Sequence, residues 1–339
     1  MLGAIIGDIV GSRFEWNNIK TKEFQFLTKG CFITDDSVMT IAIAKALLNS
    51  KINLSDVEEN TIKYMQEFGR RYPDCGYGGN FSWWLESENP EPYNSFGNGA
   101  AMRVSACGWF ARNLEMAKNL SHKVTRVTHN HKEGIKGAEA VTVAIYLARE
   151  GKTIEEIREY INNNYYKIDF TLDEIRDTYE FDESCQGTVP YALEAFFESK
   201  SFEDAIRNAI SIGGDSDTIA AITGSIAEAY YGIPYDLRNE VMKKFIPNDL
   251  LEIVEEFEES FKPKIIYTDK ELLIEQLKKV RELMPINNID ADMNKAFYYG
   301  WEEAFNYVFA LFEAKGEIKV EQGSHPETYI KRVKRKLND

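Results

Sequence analysis

The chain is poor in cysteine, histidine and strand-forming runs, and each shortage removes a class of function. Four cysteines, Cys31, Cys75, Cys107 and Cys185, are scattered over 339 residues with no C-x-x-C pair. A disulfide framework or thiolate zinc site is therefore not expected, and the cytoplasm is the expected setting. Histidines also number four. No H-E-x-x-H and no E-x-x-H pair occurs, so zincin and ferritin-like di-iron chemistry lack their signatures. His129 and His131 stand two apart with no cysteine beside them, a pattern commoner in loops and cores than in zinc sites. Gly151-Lys152-Thr153 lacks the upstream glycine of a phosphate loop. Neither Gly76-Tyr77-Gly78 nor Gly97-Asn98-Gly99 completes G-x-G-x-x-G. The apolar N-terminus has no basic leader and is interrupted by Asp8, so neither a signal peptide nor a membrane span is read. Positive charge is short as well: 40 lysines and arginines against 55 aspartates and glutamates leave a net charge of −15. That field does not steer a protein toward nucleic acid or an anionic membrane, although it leaves room for a local anion site.

What is present is helical. An apolar fraction of 44% supplies a substantial core. Residues 36–48 place Val38, Ile41, Ala42 and Leu48 on one 3.6-residue face. Residues 136–149, 190–197, 202–210 and 217–230 read likewise, with glycines or prolines between them. The expected fold class is all-α. A boundary is expected near residue 262: a catalytic domain over 1–262, then a charged, aromatic helical extension over 263–339. Its helices are expected at 269–284 and 292–315. The basic run 329–336 suits a solvated helix end.

Two acidic clusters carry the chemistry. Thr34-Asp35-Asp36 and Asp215-Ser216-Asp217-Thr218 each open a helical stretch. A helix cap accounts for one acid or hydroxyl. It accounts poorly for two adjacent aspartates, which point in different directions from a first turn. The second cluster follows Gly213-Gly214 and precedes Ala220, Ala221, Gly224 and Ala227, small residues that let a helix pack deep inside a domain. Crowded, buried carboxylates need a counter-charge. Hydroxyl and carboxylate oxygens suit Mg²⁺, with Mn²⁺ or Ca²⁺ as competitors. A prenyl-diphosphate enzyme is the natural all-α magnesium alternative. The third aspartate usual there is absent, because Asp35-Asp36 is followed by Ser37-Val38-Met39.

In this order along the chain, Gly3-Ala4-Ile5-Ile6-Gly7-Asp8-Ile9-Val10-Gly11 with Glu15, Thr34-Asp35-Asp36, Ser95-Phe96-Gly97-Asn98-Gly99-Ala100-Ala101-Met102-Arg103, Thr128-His129-Asn130-His131 and Gly213-Gly214-Asp215-Ser216-Asp217-Thr218 resemble the ADP-ribosylglycohydrolase family. The match is to the dinitrogenase-reductase-activating type and spans roughly residues 1–260. The resemblance implies a compact all-α domain with a binuclear magnesium centre, manganese being possible. It implies that Thr34, Asp35, Asp36, Asp215, Asp217 and Thr218 ligate the metals and that Glu15 activates water or assists the leaving group. Asp8 is implied to orient the ligands. Ser95, Phe96, Gly97, Asn98 and Gly99 are implied to form a phosphate and ribose loop, with Gly78 in a second wall and His129 beside the substrate. His131 is implied to be its neighbour.

The activity implied is hydrolysis of the glycosidic bond between ADP-ribose and a target, through an oxocarbenium-like state. The target is an ADP-ribosylated protein or small molecule, and a nucleic-acid substrate is not excluded. The alternative is a non-catalytic ADP-ribose reader on the same fold. Neither the linkage cleaved nor the oligomeric state is set by the sequence.

Overall fold

Small side chains decide how this chain folds. Glycines at positions 3, 7 and 11 recur every four residues, so they share one side of the first helix. That side lies directly on the backbone of a later helix. A Cβ at Gly7 would sit 2.0 Å from the Ala220 carbonyl oxygen, and one at Gly224 would sit 2.3 Å from the Gly3 carbonyl oxygen. No side chain fits between the two backbones. The large apolar residues of the first helix, Leu2, Ile5, Ile6, Ile9 and Val10, are fully buried. Each contributes roughly 1.5–3 kcal/mol of apolar burial.

The computed structural model describes residues 1–260. Fifteen helices occur among them: α1 (Leu2–Gly11), α2 (Asp35–Leu48), α3 (Val57–Arg71), α4 (Gly79–Glu86), α5 (Gly99–Met102), α6 (Ser105–Phe110), α7 (Leu114–Arg126), α8 (Lys132–Arg149), α9 (Ile154–Asn164), α10 (Leu172–Ile175), α11 (Cys185–Phe197), α12 (Phe202–Ser211), α13 (Ser216–Tyr231), α14 (Tyr235–Lys244) and α15 (Asn248–Glu259). Among these residues there is no strand, and extended pairing is confined to a bridge between Gly97 and Ser184. The all-α expectation holds.

Helix α13 is the axis. It is buried continuously from Ser216 to Ala229, with α1, α8, α11 and α12 packed around it. The outer helices are amphipathic instead. In α3 the buried residues Val57, Thr61, Tyr64, Met65 and Phe68 form one stripe. Helix α11 starts at Cys185, earlier than position 190 where its apolar run is read. Ser184 caps it by accepting from the Gly187 N–H at 3.1 Å, and Pro190 lies inside the helix. No helix among the described residues is long and apolar enough to cross a membrane. The boundary expected near 262 and everything expected of 263–339 lie outside the described residues.

Candidate active site

Helices α1, α2 and α13 bring the acidic clusters together. Asp8, on α1, is fully buried. It accepts from the Thr34 N–H at 3.0 Å, the Thr34 hydroxyl at 2.7 Å and the Ser37 N–H at 3.1 Å, and also from the Ser37 hydroxyl. It thus caps α2 from another helix and fixes the direction of Thr34-Asp35-Asp36. Burial outweighs these bonds and raises the Asp8 pKa to about 6. Gly213 and Gly214, at φ of 68° and 75°, turn the chain into α13 in a conformation that favours glycine. Asn18 locks that turn. Its amide donates to the Gly214 carbonyl at 2.9 Å and accepts from the Gly214 N–H at 2.8 Å. The same amide donates to the carbonyls of Phe14 and Glu15, so the turn and the Glu15 loop are held as one piece.

The two clusters meet. The Thr218 hydroxyl donates to Asp36 Oδ2 at 3.0 Å. Glu15, Asp215 and Asp217 each offer an oxygen within 4.8 Å of the others. Asp36 Oδ1 and Asp217 Oδ1 are buried with no hydrogen-bond partner. Burial, then mutual repulsion, raises the pKa values of Asp35, Asp36 and Asp217 well above the usual carboxylate range. Burial also raises that of Asp215, against its hydrogen bonds. Glu15, half-buried, is raised to about 7 by burial and then by Asp215, Asp8 and Glu183. Orphaned carboxylate oxygens in an all-oxygen donor set fit a hard divalent cation. Glu15 falls within reach of that donor set, a placement its isolated position in the sequence does not indicate.

A second wall stands on α5 and the segment before it. Asn98, buried, donates from its amide to Asp215 Oδ2 at 2.7 Å and to the Thr188 hydroxyl at 3.0 Å. Its donors therefore hold the acidic cluster. In the segment expected to form a phosphate and ribose loop, two N–H groups are already engaged: Gly97 N–H binds Ser95 Oγ and Asn98 N–H binds the Glu183 carbonyl. The turn is closed by its own contacts because the 183–185 segment runs against it.

Arg103 is fully buried behind this wall. Its guanidinium donates to Thr128 Oγ1 at 2.6 Å and lies 3.4 Å from His129 Nδ1, while Thr128 Oγ1 is 2.7 Å from the same nitrogen. Arginine has only donors. Thr128 therefore accepts from Arg103 and gives its proton toward Nδ1, which leaves the His129 proton on Nε2. Burial, then Arg103, keeps His129 neutral by lowering its pKa well below the usual value. Nε2 faces the turn: it would lie 3.6 Å from a Cβ at Gly97 or Gly99.

A cavity of about 610 Å³ opens beside these elements, lined by Tyr93, Ser95 and Phe96 and by Phe181 and Glu183 of the segment bridged to them at Gly97–Ser184. Phe96 is 47% exposed and packs against His131 at 5.3 Å. Gly78 is exposed at the start of α4, with open space where a side chain would be. Asn80, two residues on, reaches the cavity lining. The profile of the ADP-ribosylglycohydrolase family matches residues 1–265.

The chain belongs to the ADP-ribosylglycohydrolase family.

Among relatives, it is 26% identical over 309 residues to human ADP-ribosylhydrolase ARH3, covering 69% of this chain and 84% of that protein. It is 26% identical over 266 residues to ADP-ribosylarginine hydrolase Tri1 of Pseudomonas putida, covering 69% and 70%. It is 24% identical over 254 residues to the ADP-ribosyl-[dinitrogen reductase] glycohydrolase of Rhodospirillum rubrum, covering 68% and 84%. A solved structure described as an ADP-ribosylglycohydrolase-related protein complex superposes with a TM-score of 0.56 at 22% identity. It covers 76% of this chain and 94% of that one, and supports the fold.

Within this family member several supporting residues carry no short-range sequence signal. Asn18, Arg103 and Thr188 reach their partners only through the fold. Arg103 closes the 95–103 segment that carries the resemblance, and a charged residue ending a small, apolar run is its one local hint.

Proposed function

We propose that this chain is a divalent-metal-dependent hydrolase that cleaves the glycosidic bond between ADP-ribose and a target, releasing ADP-ribose. The observation that carries the reading is the pair of buried, partnerless oxygens, Asp36 Oδ1 and Asp217 Oδ1, inside a cluster made only of oxygen donors. Thr34, Asp35, Asp36, Asp215, Asp217 and Thr218 would hold two Mg²⁺, with Mn²⁺ as substitute. Bound there, the ions would neutralise the acids and supply Lewis-acid charge to ribose hydroxyls and water.

The chain's own groups do the rest. Asp8 and Asn98 keep the acids in place. Glu15 stands at the mouth of the cluster, where it can take a proton from water or return one to the leaving group. His129 presents Nε2–H to a substrate oxygen at the Gly97–Gly99 turn, and Phe96 offers a face to the base. The cavity has the volume of a nucleotide site. In the reaction the bond from the anomeric carbon to the target breaks, the water oxygen joins that carbon and the proton leaves with the target.

The test is direct. Purified protein is incubated with Mg²⁺ and substrates carrying ADP-ribose on arginine, on serine and on a nucleobase, and free ADP-ribose is measured. Release that stops in excess chelator is expected. Phosphate release in place of ADP-ribose, or full activity with the metal removed, would overturn the reading.

A further inference from the structure

Arg103 is a fully buried cation, and among the described residues no carboxylate forms an ion pair with it. Its Nε is buried without a hydrogen-bond partner. Its guanidinium carbon stands 5.8 Å from the centre of the Phe81 ring. Burial lowers its pKa only to about 10, so the charge persists at neutral pH. A desolvated charge without a counter-ion is costly, and an apolar side chain of similar volume would fill the space more cheaply. Packing alone does not account for an arginine here.

Its hydrogen bonding is aimed at one segment, 128–130. The guanidinium donates to Thr128 Oγ1 and stands against His129 Nδ1. That segment is laced to the cavity lining. The Thr128 carbonyl accepts from the Tyr93 N–H at 3.2 Å, and Asn130 Oδ1 accepts from the Asn94 N–H at 2.7 Å. Tyr93 and Asn94 both line the cavity. The Tyr93 ring packs against the His129 imidazole with centroids 5.9 Å apart.

The two nitrogens of His129 are treated differently. Nδ1 is taken up by Thr128 and Arg103, whereas Nε2 has no hydrogen-bond partner among the described residues. Nε2 points at Gly97 and Gly99, where the missing side chains leave room in front of it. Gly97 lines the cavity, and no lysine or arginine is among the described residues that do. An anionic oxygen arriving at this turn therefore meets no cation directly. The positive charge lies behind it, joined to Nε2 through Thr128 and the imidazole. In surroundings of low dielectric that charge polarises the Nε2–H and attracts an anion in front of it.

We propose that Arg103 is a positioning residue for the anionic part of ADP-ribose: through Thr128 it holds His129 in the one tautomer that donates from Nε2 to a phosphate oxygen at Gly97 and Gly99. The proposal rests on the hydrolase reading above for the identity of the ligand. Arg103 itself touches no substrate. Because it has only donors, it obliges Thr128 to accept from it and to give its own proton to Nδ1. Without Arg103 the Thr128 hydroxyl can accept instead. The imidazole proton is then free to move to Nδ1, which turns Nε2 into an acceptor that repels a phosphate oxygen.

The test uses the full chain with Mg²⁺ at pH 8 and two readouts. Calorimetry gives the affinity for ADP-ribose, and ring ¹⁵N NMR gives the His129 tautomer, its signals assigned by their loss in His129→Asn. The wild type is expected to carry its proton on Nε2 alone. Arg103→Met, close in volume and uncharged, is expected to populate the Nδ1–H form and to lower affinity by about tenfold, the scale of one hydrogen bond to a charged group. Arg103→Lys keeps the charge and should hold the tautomer with a smaller loss. A wild-type proton on Nδ1, or an unmoved affinity in Arg103→Met, would overturn the proposal. A lower affinity with the tautomer still fixed would overturn it too, making Arg103 a packing residue. Should Arg103→Met fail to fold by circular dichroism, Arg103→Gln takes its place, and the wild-type spectrum remains a test that needs no variant. Variants that behave as expected in a chain releasing no ADP-ribose from any substrate would overturn the hydrolase reading and leave this proposal in place. A wild type that binds no ADP-ribose would overturn both.

Discussion

The acidic floor of the candidate site and its exposed aromatic rim are built on opposite principles. At the floor, α1 and α13 touch backbone to backbone, and Asp8, Asp36 and Asp215 are each fixed by a partner on another element. At the rim, Trp16, Phe181 and Glu183 are exposed, and Trp16 stacks on Phe181. The floor accepts a large electrostatic cost in exchange for placement. Several carboxylates sit where burial and repulsion both oppose their charge. The rim carries no such cost and can change without disturbing the core. Chemistry that must stay constant belongs on the first kind of scaffold, and choice of target belongs on the second.

The largest effect should come from breaking the floor's donor set. Asp217→Asn removes one charge while keeping the shape. Turnover is expected to fall by about a thousandfold or more, the scale of losing a key electrostatic group. Mg²⁺ affinity by calorimetry should fall with it. In chelator, the same variant should melt higher than the wild type, because a repelled, buried carboxylate has gone. Near-wild-type turnover would remove Asp217 from the site.

Overfilling the floor tests its packing. Gly7→Val would press two methyl groups into the Ala220 backbone, where even a Cβ would be 2.0 Å from the carbonyl oxygen. Overpacking of this kind costs about 3 kcal/mol or more where neither backbone can retreat. Urea denaturation should show the loss, and activity should fall with folding. A loss under about 1 kcal/mol would mean that the helices can separate without consequence.

These two variants also mark what the sequence made legible. The helix of small residues after Asp217 is visible as composition, and its burial follows because small side chains let neighbouring helices approach its backbone. The acidic clusters are visible because adjacent aspartates exceed what a cap requires. The contact of Gly3, Gly7 and Gly11 with Gly224, Ala220 and Asp217 is not visible, since a four-residue glycine spacing names no partner. Asn98 shows the same limit. Its position is read, but its amide binds Asp215, 117 residues away. The start of α11 is obscured because Pro190 imitates a helix start, while the working cap is Ser184.

The pH response should separate metal-free floor from metal-bound floor. A carboxylate raised in the folded state binds more protons folded than unfolded at intermediate pH. Its effect on stability is therefore least harmful below about pH 4, and the folded state loses ground as pH rises through the folded value. Asp8 at about 6 and Glu15 at about 7 mark the upper part of that window. In chelator the melting temperature is expected to fall between pH 5 and pH 8. Mg²⁺ must displace those protons, so the gain in melting temperature on adding it should be larger at pH 8 than at pH 5. An equal gain at both values would mean that the clustered acids are already ionised without metal.

The smallest effect on stability should come from the rim, and that smallness is what sharpens the comparison. Trp16→Ala deletes an indole that is already 80% in solvent and whose ring contact is Phe181. An exposed aromatic pair contributes about 0.5–1.5 kcal/mol beyond burial, and solvent exposure puts this one at the low end. The melting temperature should move by only a few degrees at most for a chain of this size. If the rim instead proved as costly to alter as the floor, Trp16 would be holding Glu15 and the Asn18-anchored loop in place. Its loss would then lower activity on every linkage alike. A small stability change with an uneven effect across linkages is the outcome that separates a recognition surface from a structural one.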